Sequence, residues 1–110
     1  MDAKIIRLEE AANLFKEAAD YGLQDAQLRF GHCLWSGDGV KKNISQAIEY
    51  FQLSADLGNS TAMYNIGNVY YNGLGVQKDE EKGKKYLRLA ALREQPKALD
   101  MCKKNCISLV

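Results

Sequence analysis

The chain has 110 residues, 46% of them hydrophobic and 26% charged, and its 15 basic and 14 acidic side chains leave a formal charge of +1. That balance fits one soluble globular domain over residues 1–110 and excludes wholesale disorder. So small a charge gives no overall field toward nucleic acid, and no run of about 18 apolar residues exists to span a bilayer, so neither nucleic acid nor membrane is an expected partner.

The opening stretch, MDAKIIRLEE, lacks the uninterrupted apolar core of a signal peptide. Ala11, Leu14, Phe15, Ala18 and Ala19 then recur at helical spacing, with Ile5 and Leu8 continuing the stripe upstream, and predict a first helix closed by Gly22. A second helix is expected from about Asp25 to Ser36, its apolar stripe formed by Ala26, Phe30, Cys33 and Leu34. Gly37 and Gly39 can take the positive backbone angles that end it, and Val40 turns toward the core. Gly37-Asp38-Gly39-Val40 is no phosphate loop, because the Lys-Ser/Thr pair that would follow is missing.

A third helix is expected from about Ile44 to Leu57, with Ile44, Ala47, Ile48, Phe51 and Ala55 on one stripe. Asn43 stands in its cap position with Gln46 three residues on, and Gly58 lies just past its end. The fourth helix reuses the second's pattern with Ala62, Ile66, Val69 and Tyr70, followed by Gly73, Gly75 and Val76. The fifth opens on the charge run QKDEEKGKK with Asp79 as cap, which suits the helix dipole and reads as a solvated face. Residues 77–104 carry nine basic and five acidic side chains, against six and nine in residues 1–76, so the basic excess sits in this later part. Pro96 suits the opening turn of a sixth helix running to about residue 106, whose register turns Cys102 and Cys106 toward the core.

These elements are copies of one another. Sliding the chain by 36 positions aligns residues 11–46 with 47–82 at 11 identities and no gap, concentrated in Ala, Gly and aromatic positions. Ala11, Phe15, Ala19, Asp20, Gly22, Ala26, Gly31, Gly37, Gly39, Val40 and Lys42 fall on Ala47, Phe51, Ala55, Asp56, Gly58, Ala62, Gly67, Gly73, Gly75, Val76 and Lys78. A glycine inside a helix costs about 1 kcal/mol relative to alanine, so Gly31 and Gly67 predict points where a neighbouring helix comes too close for a side chain. Ala19, Ala26, Ala55 and Ala62 serve the same approach.

The pattern of Ala, Leu-Gly or its equivalent, Tyr, Gly-x-Gly-Val, an acidic residue, an aromatic and Ala-Ala resembles the Sel-one-like repeat, a relative of the tetratricopeptide repeat. TAMYNIGNVYYNGLGVQKDEEKGKKYLRLAA matches it closely, while the preceding copy departs at Leu34, Asn43 and Ser54. The resemblance covers roughly residues 11–98. It implies an all-α fold, a right-handed α-α superhelix or solenoid of antiparallel helix pairs with about six helices. The units would be a half-unit at 1–22, repeats at 23–58 and 59–94, and a capping half-unit at 95–110. Lys103 takes the register place of Gly31 and Gly67, where a bulky charge bars close packing, so the stack is expected to terminate there. Arrays usually need about three units, so modest stability is expected.

The resemblance also implies a non-enzymatic scaffold or adaptor that binds a peptide or partner protein on a concave face lined by first helices. By analogy with the tetratricopeptide array, that face carries Leu28, Arg29, His32, Trp35 and Ser36 in one repeat and Tyr64, Asn65, Asn68, Tyr71 and Asn72 in the next. Their aromatic, amide and arginine content suits protein binding. His32 is the only histidine and has no nucleophile or base pattern around it, so no catalysis is expected, and no cofactor or metal. A monomer is expected, with exposed terminal helices as the route to any oligomer.

Cys33, Cys102 and Cys106 are an odd number at spacings of no disulfide framework or zinc site, which points to a reducing, cytoplasmic setting. Asn43-Ile44-Ser45 and Asn59-Ser60-Thr61 are glycosylation-type triplets, which keep open an alternative, a lumenal quality-control scaffold of the endoplasmic reticulum with an upstream signal peptide. The other alternative is a regulatory repeat segment of a larger signalling enzyme such as a kinase. A secreted hydrolase is disfavoured because the relatives credited with that activity are rich in paired cysteines.

Overall fold

The computed structural model describes residues 2–110. Among them are six α-helices and no strand: α1 (Ala3–Asp20), α2 (Gln24–Ser36), α3 (Ile44–Asp56), α4 (Ser60–Asn72), α5 (Glu80–Leu92) and α6 (Pro96–Lys104). The chain divides into two compact units, the first ending at Leu57 and the second beginning at Gly58. In the first, α2 packs against both α1 and α3; in the second, α5 packs against both α4 and α6.

Every helix but α2, which begins at Leu23 without a side-chain cap, starts where a side chain satisfies an orphan amide. The Asn43 side chain accepts from the Gln46 amide at 3.0 Å, Asn59 from Ala62 at 2.9 Å and Asp79 from Lys82 at 3.1 Å. Gln95 caps α6 in the same way, accepting from Ala98 at 2.9 Å while itself buried. α2 and α4 end alike, in left-handed Gly37 and Gly73, and a further bond then pins each loop to its helix. Asn43 donates its amide to the Leu34 carbonyl at 2.8 Å, and Asp79 to Tyr70 at 2.8 Å.

The first unit's core gathers Ala12, Phe30, Leu34, Ala47, Ile48 and Phe51; the second gathers Ala62, Ile66, Val69, Leu87, Ala90 and Ala98. Burying one large apolar side chain of this kind stabilises by about 1.5–3 kcal/mol. In each repeat a large side chain on the later helix seats against a glycine on the earlier one. A methyl group on Gly31 would meet the Phe51 ring at 2.6 Å, and one on Gly67 would meet Leu87 at 2.8 Å. Ser54 stands fully buried among these apolar groups because its hydroxyl donates to the Gln24 carbonyl at 2.8 Å.

Three expectations change. Leu14 is 65% exposed and Ala12 is the buried residue of that turn, because α1 presents to α2 the side bearing Ala12 and Ala19. Val40 and Val76 are half-buried, covering the core edge rather than filling it. Cys106 is exposed, whereas Cys102 is buried as expected. The reason is that α6 stops at Lys104 and Cys106 turns left-handed at φ 54°. The Ile107 amide then bonds back to the Cys102 carbonyl at 2.8 Å, so Ile107, and not Cys106, is delivered to the core.

Candidate functional site

The residues expected to bind a partner fall on one row of each first-type helix. On α2, Leu28, His32, Trp35 and Ser36 are spaced by about one and two turns, with Arg29 beside them. Leu28 and Trp35 are half-buried, while Arg29, His32 and Ser36 are exposed. Buried Phe51 is the common support: the His32 ring stands edge-on to it at 5.2 Å between centroids, and Trp35 lies tilted at 6.3 Å. A side chain that fills the Gly31 gap from below therefore also fixes two rings at the surface. The Arg29 guanidinium lies 5.8 Å from the Phe15 ring centre, which keeps it against α1.

On α4 the row is Tyr64, Asn68, Tyr71 and Asn72, with Asn65 adjacent. All but exposed Asn72 are half-buried. Asn72 donates its side-chain amide to Asn68 Oδ1 at 2.6 Å, so the two amides form one fixed polar patch one turn long. Tyr71 is held through its backbone, which approaches α5 so closely that a methyl group on Gly83 would meet the Tyr71 amide nitrogen at 2.5 Å.

Cys33 and Cys102 sit in environments that favour the protonated thiol. Burial, then the nearby Asp38 carboxylate, pushes Cys33 up from its ordinary value, and burial pushes Cys102 up against the opposing pull of Arg88. Both are therefore weak nucleophiles. Among the described residues no group of three His, Cys, Asp or Glu side chains is placed to hold a metal ion, and no helix is long and apolar enough to cross a membrane.

Gln27 was not legible as part of the core: it is 4% exposed, and its Oε1 has no hydrogen-bond partner. The one available signal was its register, because the residue 36 positions on is the apolar Met63.

The family model for the Sel1 repeat matches residues 24–59 and again 60–94, more than half of the chain. Among solved structures, a Sel1 repeat protein from Oxalobacter formigenes is 33% identical at a TM-score of 0.76, over 82% of this chain and 37% of its own. A protective antigen of uropathogenic Escherichia coli strains that displays an SLR fold is 25% identical at a TM-score of 0.79, over 83% of this chain and 20% of its own. The chain thus spans well under half the length of either neighbour. No curated protein sequence matches it. Sel1 repeat proteins are generally protein-interaction scaffolds, built on the all-α fold of paired helices seen here. With both repeats matched in register and the fold shared with solved members, the chain belongs to the Sel1 repeat family.

Proposed function

We propose that the chain is a non-enzymatic interaction module that holds a peptide or an exposed segment of a partner protein on its first-type helices, each repeat contributing its own row, that of α2 in one and that of α4 in the other. The observation that carries this reading is the repetition of half-exposed aromatic positions at one register, Trp35 on α2 with its ring against Phe51 and Tyr71 on α4 with its backbone against Gly83 of α5. Large rigid rings beside amides and an arginine bind protein surfaces at low entropic cost, because little side-chain freedom is left to lose. The setting proposed is cytoplasmic, since all three cysteines are free thiols, the form a reducing compartment maintains.

Panning a random peptide display library against the chain tests the reading. Selected peptides should bind at least about tenfold more weakly to Trp35→Ala and Tyr71→Ala, a loss typical of interface anchors, while the helical circular dichroism stays unchanged. Peptides whose binding ignores both substitutions would place recognition elsewhere.

A further inference from the structure

α1 carries an apolar face of the kind that the repeat elsewhere buries. Its Ala11, Phe15 and Ala18 stand 36 positions before Ala47, Phe51 and Ser54 of α3. On α3 those three are buried against α2: a methyl group on Gly31 would meet the Phe51 ring and the Ala47 carbonyl, and the Ser54 hydroxyl reaches the Gln24 carbonyl. On α1 the same three are only half-buried, because α2 lies against the side bearing Ala12 and Ala19. Leu14 widens the face. It is 65% exposed at the register where α3 and α5 carry Tyr50 and Tyr86, so a polar-tipped ring is replaced by hydrocarbon that the unit's own core does not use. Ala11, Leu14, Phe15 and Ala18 follow at i, i+3, i+4 and i+7 and so form one continuous stripe.

The charges beside this stripe indicate what covers it. Arg7, Glu10, Leu14 and Glu17 share one edge, basic at the start of the helix and acidic toward its end, and all three charged residues are exposed. On the other edge Arg29 of α2 is held 5.8 Å from the Phe15 ring centre. A second α1 laid antiparallel sets Arg7 against the partner's Glu17, and the two-fold axis repeats the pair. The turns from Ala11 to Leu14 then meet at the axis, and the helix dipoles oppose. A parallel arrangement would instead face arginine with arginine and glutamate with glutamate. We infer that α1 is the interface of a symmetric homodimer, in which each Leu14 packs on the Ala11–Phe15 stripe of an antiparallel α1. Its 18 residues make a seam about 27 Å long, at the small end of specific interfaces, so the dimer forms in the micromolar range. The interface residues are all on α1, and the inference does not rest on the peptide-binding rows of α2 and α4.

Sedimentation equilibrium of the full chain from about 1 µM to about 1 mM tests it, with circular dichroism as the check on folding. The wild-type chain should move from monomer to dimer with no larger species. Leu14→Glu, at an exposed position, should weaken association at least about tenfold with unchanged helical content. Arg7→Glu alone and Glu17→Arg alone each turn two ion pairs into two repulsions and should weaken it at least about fivefold. The double variant Arg7→Glu/Glu17→Arg restores both pairs and should return to within about twofold of wild type, and added salt should narrow the differences among the charge variants. A chain that stays monomeric to about 1 mM would overturn the inference and leave the face to another occupant. Association that ignores Leu14→Glu would place the contact elsewhere, and a double variant as weak as the single ones would exclude the antiparallel pairing; either result overturns it too.

Discussion

The two repeats solve one packing problem with different volumes. In the first, the large Phe51 ring fills the space left by Gly31, and the facing position on α3 is Ala47. In the second, the smaller Leu87 fills the space at Gly67, and the position matching Ala47 is Gly83, which admits the Tyr71 backbone. A larger knob goes with a larger neighbour, and a smaller knob with a helix pair drawn closer. Interiors tolerate such exchanges when total volume is kept, so the repeat specifies a fit between positions and not a residue at each. The functional consequence differs as well, since only the aromatic knob can fix two surface rings, His32 and Trp35, by ring contacts.

Removing the two knobs gives the largest expected effects. Phe51→Ala should cost about 3–5 kcal/mol and Leu87→Ala about 2–5 kcal/mol, through lost burial and the cavity left behind. Urea unfolding followed by circular dichroism measures both. Where the variants remain folded, only Phe51→Ala should shift the emission of Trp35, the single tryptophan, toward the red. An equal shift with Leu87→Ala would show that Phe51 is not what holds that ring.

Gly83→Ala sharpens the comparison at a smaller scale. The added methyl group would lie 2.5 Å from the Tyr71 amide nitrogen, a backbone atom that cannot rotate away. Overpacking of about 1–3 kcal/mol then outweighs the gain of about 1 kcal/mol in helix propensity, so the variant should be less stable by up to about 2 kcal/mol. The reciprocal Ala47→Gly should lose about 1 kcal/mol from propensity alone. A stabilised Gly83→Ala chain would mean that α4 and α5 are not drawn together by the missing side chain.

What the sequence revealed and what it hid follow from how local each feature is. Gly31 and Gly67 announced close helix contact because a glycine in mid-helix has a local cost that only packing offsets, and Asn43 and Asp79 announced their caps because capping needs only the next three residues. Gly83 carried the same kind of signal, but it lay inside a charge run that read as a solvated face. Gln27 depends on what surrounds it in space, and only its register partner Met63 pointed to burial. Cys106 was misplaced because the register of α6 was carried past Lys104, where no glycine or proline marks the stop. The candidate binding rows came from helical register together with the analogy to the tetratricopeptide array; the support of His32 and Trp35 by Phe51 required the fold.

The smallest expected effect concerns how helices are closed in the two regions. α1 of the first unit ends in Gly22 at φ 86°, whereas α5 of the second ends through Glu94 at φ 63°, a conformation that costs most L-residues about 1–2 kcal/mol. The turn at Glu94 is otherwise complete: its amide bonds to the Ala91 carbonyl at 2.9 Å, and the Gln95 amide to Ala90 at 3.1 Å. Glu94→Gly should therefore keep the turn and relieve the strain, offset in part by the greater freedom of glycine in the unfolded chain, for a net gain of about 0.5–1 kcal/mol. For a chain of this size that is a rise in melting temperature of about 2–4 °C, readable by calorimetry. Glu94→Ala separates the backbone from the charge, since it removes the carboxylate and keeps the left-handed strain. If alanine stabilises as much as glycine, the carboxylate and not the backbone angle is what α5 tolerates at its end.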